Sequence, residues 1–137
     1  MKRSDFLATT KTLAGLAILS PLLDACSRSN DVTPKLSGNI TIDLTNPSYS
    51  ALQTVGGVVL AQGVYIVRTG TSTYIGLSPV CTHAGCTVNF DSTGKEFVCP
   101  CHGGVYDING KVVSGPPPAP LAQYQITVSG NTLTVVA

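Results

Sequence analysis

The 137-residue chain contains no tryptophan, and only 6% of its residues are aromatic. Combined with its many Val, Thr, Ile and Gly residues, that scarcity points to β structure with frequent turns and against long amphipathic helices. Net charge is also lacking. From residue 27 onward the bases Arg28, Lys35, Arg68, Lys95 and Lys111 are cancelled by the acids Asp31, Asp43, Asp91, Glu96 and Asp107. No basic stripe or aromatic-basic interleaving is present, which removes support for nucleic-acid binding, because a phosphate backbone needs several Lys or Arg on one face. The apolar run at residues 13–23 is broken by Ser20 and Pro21. It falls short of the roughly 20 apolar residues of a membrane-spanning helix. The length allows one domain plus an N-terminal extension.

That extension reads as an address. Lys2 and Arg3 precede the apolar run, and Asp24-Ala25-Cys26 follows it, so residues 1–25 are expected to be a secretory signal. Leu23-Asp24-Ala25-Cys26 resembles a bacterial lipobox, with Cys26 as the lipidated first residue, although Asp24 departs from the usual occupants. Lipidation would account for an odd thiol exported to an oxidising compartment. Arg3-Ser4-Asp5-Phe6-Leu7 is similar to a weakened twin-arginine signal in which Ser4 replaces the second arginine, leaving general secretion open. Residues 26–38 are polar and turn-rich after the cysteine, the composition of a flexible tether. The expected location is the periplasmic side of a bacterial membrane, with a globular domain at 39–137 held by lipidated Cys26.

Within that domain, β-branched or alternating segments recur at roughly 39–45, 52–60, 64–69, 73–78, 95–98, 122–128 and 132–136, separated mostly by turn residues. Regular short strands predict an all-β antiparallel sandwich or small barrel. Ser129-Gly130-Asn131 reads as the turn of a terminal hairpin whose alternating strands bury one face.

The remaining signal is concentrated. Cys81-Thr82-His83-Ala84-Gly85-Cys86 and Cys99-Pro100-Cys101-His102-Gly103-Gly104 hold both histidines of the chain and four of its five cysteines. Thiolate and imidazole serve soft or borderline metals such as iron and zinc. The spacing lets each loop offer one thiolate and one imidazole to a shared centre. Cys86 and Cys101 are then left over, and in an exported protein such a pair can close a disulfide.

Both boxes resemble those of the Rieske iron-sulfur proteins, C-x-H-x-x-C and C-x-C-H in the disulfide-bearing class, down to the C-T-H-x-G-C and C-P-C-H-G glycines. The likeness extends through the proline-rich loop Gly115-Pro116-Pro117-Pro118-Ala119-Pro120. It implies one [2Fe-2S] cluster in a subdomain formed by two loops, with Cys81 and Cys99 on one iron and His83 and His102 on the other. It also implies a Cys86–Cys101 disulfide and a Tyr106 hydroxyl donating to a ligand sulfur. Gly104 stands where high-potential respiratory members place a serine, and Ala84 where they place a leucine. The resemblance therefore implies a lower potential than theirs and a more exposed centre.

The function this implies is one-electron transfer on the periplasmic side, proton-coupled at alkaline pH, with an unidentified redox partner such as a cytochrome. The chain would be an electron-transfer protein or an oxidoreductase subunit rather than a stand-alone enzyme. A subunit of a quinol-oxidising cytochrome complex or of an arsenite-oxidase-like assembly is the alternative. A soluble ferredoxin for a cytoplasmic dioxygenase is disfavoured by the signal and the extra cysteine pair. With both histidines spent on the cluster, no mononuclear iron triad remains, which excludes an oxygenase catalytic subunit. From another class, a non-redox zinc or disulfide-stabilised lipoprotein is possible on composition. Zinc leaves Cys86 and Cys101 without a role, whereas two disulfides leave both histidines unexplained.

Overall fold

Period-two alternation sorts the apolar side chains into two separate cores on opposite faces of one shared sheet. The computed structural model describes residues 34–137; the leader, Cys26 and most of the expected tether lie outside the described residues. Among the described residues, eleven short strands form three antiparallel sheets. The first contains β1 (Ile40–Asp43), β11 (Thr132–Val135) and β10 (Ile126–Ser129), in that order. The middle sheet is ordered β2 (Val58–Ala61), β3 (Val64–Arg68), β4 (Tyr74–Leu77) and β9 (Gln123–Tyr124). The third is a meander of β5 (Asn89–Asp91), β6 (Glu96–Val98), β7 (Val105–Asp107) and β8 (Val112–Ser114). The all-β expectation holds. None of the described residues forms a helix long and apolar enough to cross a membrane.

β3 is the wall between the cores. Its run Val64-Tyr65-Ile66-Val67 has no charged member and is buried throughout, as a strand covered on both faces requires. Val64 and Ile66 join Ile40, Ile42, Leu133 and Val135 in one core. Tyr65 and Val67 face the other way, into a core with Phe97, Tyr106, Leu121, Cys81 and Cys99. There the Tyr65 ring lies 4.9 Å from Phe97, and its hydroxyl donates to the Val88 carbonyl at 3.1 Å. The two thiols of the boxes are thus core residues.

Three strand expectations need correction. Residues 52–57 are not strand: Pro47–Gln53 forms a 3-10 segment, capped by the Asn46 side chain accepting from Ser48 N–H at 2.9 Å, and a turn leads from it to β2. Asn-Pro supplies a cap and a preset first turn, which outweigh β propensity there. The 122–128 segment is two strands, because the chain leaves the middle sheet after Tyr124 and joins the first at Ile126. The folded head also reaches back to Pro34, whose carbonyl accepts from the Tyr124 hydroxyl at 2.6 Å, while Leu36 packs on the first core. One apolar residue in a polar stretch anchors what average composition assigns to the tether. The terminal hairpin is present with Ser129 opposite Thr132, but only β11 alternates cleanly; β10 is a largely exposed edge.

Arg68 ends β3 and fastens two turns. Its Nε donates to Gly70 O at 3.0 Å, and one terminal nitrogen donates to Leu52 O and Gln53 O at 3.1 and 2.6 Å. The other donates to Thr71 O, and the guanidinium lies 5.7 Å from the Tyr74 ring centroid. Arg68→Met keeps the stem but removes every donor. The expected loss is about 1.5–3 kcal/mol, seen as a lower urea midpoint at unchanged slope.

Candidate metal centre

Two loops project from the β5–β8 sheet, and they share one hydrogen-bond plan. In the first, Cys81 N–H donates to Cys86 O at 2.7 Å and Gly85 N–H to Cys81 O at 3.0 Å. In the second, Cys99 N–H donates to Gly104 O at 2.8 Å and Gly103 N–H to Cys99 O at 2.9 Å. Both turns need a residue at positive φ four positions after the cysteine, and Gly85 (+77°) and Gly103 (+72°) supply it. A Val80–Thr87 bridge closes the base of the first loop.

The plan sinks one cysteine per loop and raises one histidine. Cys81 and Cys99 are 2% and 1% exposed and carry free thiols. His83 and His102 are exposed, with ring centroids 4.6 Å apart and planes nearly perpendicular. Cys86 and Cys101 form a disulfide that ties the loops together. The sulfurs of Cys86, Cys99 and Cys101 lie within 4.8 Å of one another, but two of them are consumed by that bond, so the trio is no metal site.

Donors surround the Cys81 sulfur. Burial alone would raise its thiol, but the Tyr106 hydroxyl, the His83 N–H, the Cys99 thiol and the Ala84 N–H point at it and hold it below the usual thiol range. Tyr106 is fully buried, its hydroxyl 3.3 Å from Cys81 Sγ. Burial and the neighbouring Cys81 sulfur push the Tyr106 hydroxyl up, which keeps it a donor. That oxygen also accepts from Thr82 N–H at 3.0 Å and lies 3.1 Å from Thr82 Oγ1. Thr82 Oγ1 gives its own hydrogen to Ala119 O at 2.7 Å, which pins the proline-rich loop to the first box and leaves that oxygen only an acceptor, so it shares the single Tyr106 hydrogen with Cys81 Sγ.

The proline-rich loop also closes on the second box. A Cβ on buried Gly104 would lie 2.6 and 2.8 Å from Pro117 Cγ and Cδ, and a Cβ on Gly115 would lie 2.7 Å from Gly104 Cα. Gly104 is therefore glycine for want of space. The contacts of Thr82 and Pro117 escape a reading of the sequence: the proline run is visible, but which ring turns inward is not.

No Asp, Glu, Lys or Arg occurs in residues 69–90, 97–106 or 112–137, the segments that contain all three loops. The exposed part of these loops, which carries both imidazoles, includes Ala84, Gly103, Pro116 and Pro118. It is uncharged.

Two buried thiols, that of Cys81 ringed by donors, beside two surface imidazoles could hold two metal ions in unlike surroundings. The sequence of the Rieske [2Fe-2S] domain family matches residues 46–125. The chain belongs to the Rieske family. The cofactor of this family, and of this chain, is one [2Fe-2S] cluster. Among Rieske relatives, the cytochrome b6-f complex iron-sulfur subunit of Prochlorococcus marinus (strain MIT 9301) is 37% identical over 99 residues, covering 67% of this chain and 56% of the relative. Iron-sulfur subunit 2 of the same complex from Synechocystis sp. is 39% identical over 102 residues, covering 69% and 57%. The match thus spans little more than half the length of these relatives. In three dimensions the chain is similar to the plasma membrane Rieske protein of Synechocystis PCC 6803, with TM-score 0.57 and 33% identity over 72% of this chain and 99% of that one. A hyperthermophilic respiratory Complex III chain is also similar, at TM-score 0.53 and 29% identity over 68% and 71%.

Proposed function

We propose that this Rieske domain transfers single electrons through its cluster, held by Cys81 and Cys99 on one iron and His83 and His102 on the other. The observation behind this is the depth order of the site, with free thiols in the core and imidazoles at the surface. Two thiolates and two neutral imidazoles leave such a group near zero charge where four thiolates would leave it at minus two, so electron uptake is easier. Rieske centres span about −150 to +300 mV, against about −400 mV for plant-type ferredoxins. The fold does the rest. Tyr106 and the loop amides stabilise sulfur charge, the disulfide fixes loop spacing, and the outward imidazole nitrogens exchange protons with water, which couples electron uptake to proton uptake at alkaline pH.

The working location is the exported side of a bacterial membrane, with Cys26 as lipid anchor, in keeping with the leader sequence. A second reading, subunit of a quinol-oxidising cytochrome complex, is favoured by the relatives named above. Electron paramagnetic resonance of the reduced full-length protein tests the centre. A mixed-valence signal with an average g value below that of all-cysteine clusters is expected; a silent sample containing zinc sinks the reading. Tyr106→Phe should lower the reduction potential in film voltammetry while iron content stays near wild type, because the donor to Cys81 is lost but every proposed ligand remains.

A further inference from the structure

The disulfide of this site has a nucleophile built against it. Cys99 Sγ lies within 4.8 Å of both sulfurs of the Cys86–Cys101 bond, inside the same loop pair. Burial grades across the trio: Cys99 is buried, Cys86 half-buried and Cys101 exposed. We propose that loss of the cluster frees Cys99 to attack Cys86 Sγ, exchanging the Cys86–Cys101 disulfide for Cys99–Cys86 and releasing Cys101. This rests on Cys99 being an iron ligand, since iron is what would otherwise occupy its sulfur.

The step balances without an external oxidant. The Cys99–Cys86 bond forms as the Cys86–Cys101 bond breaks, and the electron pair of the broken bond goes to Cys101 Sγ, which takes a proton from water. The proton of Cys99 goes to solvent. Burial sets the direction, because Cys101 is exposed and its thiolate leaves into water. Attack on Cys101 instead would close a ring across Pro100 alone, whose fixed φ limits how far the two cysteines can turn toward each other. The exchanged protein has lost one of its two iron-binding thiols. Cluster and disulfide thus depend on order: iron guards the pairing, and an exchanged head cannot reload until Cys101 reverses the exchange or the bond is reduced.

The test begins with iron-loaded full-length protein, stripped anaerobically with EDTA in the absence of added thiols. Samples are denatured in iodoacetamide at intervals, digested without reduction and read by tandem mass spectrometry. Before stripping, denaturation in the alkylating agent should label Cys81 and Cys99. As iron is lost, the second label should move from Cys99 to Cys101 in most molecules. Label remaining on Cys99, or appearing on Cys86, overturns the exchange. In Cys99→Ser protein Cys101 should stay unlabelled; its release there would make another thiol, such as Cys81, the attacker and also overturn the proposal. A wild-type preparation without iron refutes the ligand reading itself, whereas iron-loaded protein that keeps Cys86–Cys101 after stripping refutes only the exchange.

Discussion

Gly104→Ser protein should be less stable than wild type by about 1–3 kcal/mol, with thermal midpoint lower by about 4–8 °C for each kcal/mol. Even the first atom of the new side chain overlaps the Pro117 ring, at 2.6 Å from Cγ. Either the proline-rich loop lifts, straining the Thr82–Ala119 hydrogen bond, or the second box shifts and moves Cys99 with it. A serine introduced alone therefore disturbs the centre before its hydroxyl can act on it. Gly104→Ser with Pro117→Ala separates the two effects, because alanine lacks both ring atoms that clash. The double variant should recover much of the lost midpoint and show the higher potential proposed for a serine at this place. Calorimetry and film voltammetry on the four proteins check both. Additive stability losses would sink the steric account, and an unchanged potential in the double variant would sink the proposed role of Gly104.

Removing the disulfide should have an effect at least as large. Cys86 and Cys101 close a loop with a sequence separation of 15, for which the chain-entropy model gives about 3 kcal/mol. Either single substitution leaves a free thiol next to Cys99, so the clean test is Cys86→Ala with Cys101→Ser. The expected result is a lower urea midpoint together with lower iron content after purification, because nothing then sets the spacing between the loops that offer the proposed ligands. Wild-type iron content in this variant would show that hydrogen bonds and the proline-rich loop suffice to hold them.

The sequence is most legible where chemistry dictates residue type. Both boxes are visible because few other side chains can do what theirs do, and the Cys86–Cys101 disulfide and the Tyr106 contact with Cys81 follow from the family resemblance that the boxes carry. The second core is harder to read. β5, β7 and β8 have three residues each, too short for a period to emerge, and Val112–Ser114 is exposed along its whole length. Leu36 disappears into polar surroundings, while Asn46-Pro47 redirects a stretch whose side chains favour strand. The fit of Pro117 on Gly104 is a contact between separate loops, and local pattern carries no information about it.

The uncharged loop surface that carries the imidazoles has a kinetic consequence. Among the described residues Lys35, Arg68, Lys95 and Lys111 are offset by Asp43, Asp91, Glu96 and Asp107, and none of the eight belongs to the loop segments. The head thus projects little long-range field from the end where electrons would pass. Diffusional capture of a free partner proceeds without electrostatic steering, at about 10⁵–10⁶ M⁻¹ s⁻¹, and responds weakly to ionic strength. Faster turnover would have to come from confinement, with head and partner held at high local concentration in one assembly or on one surface.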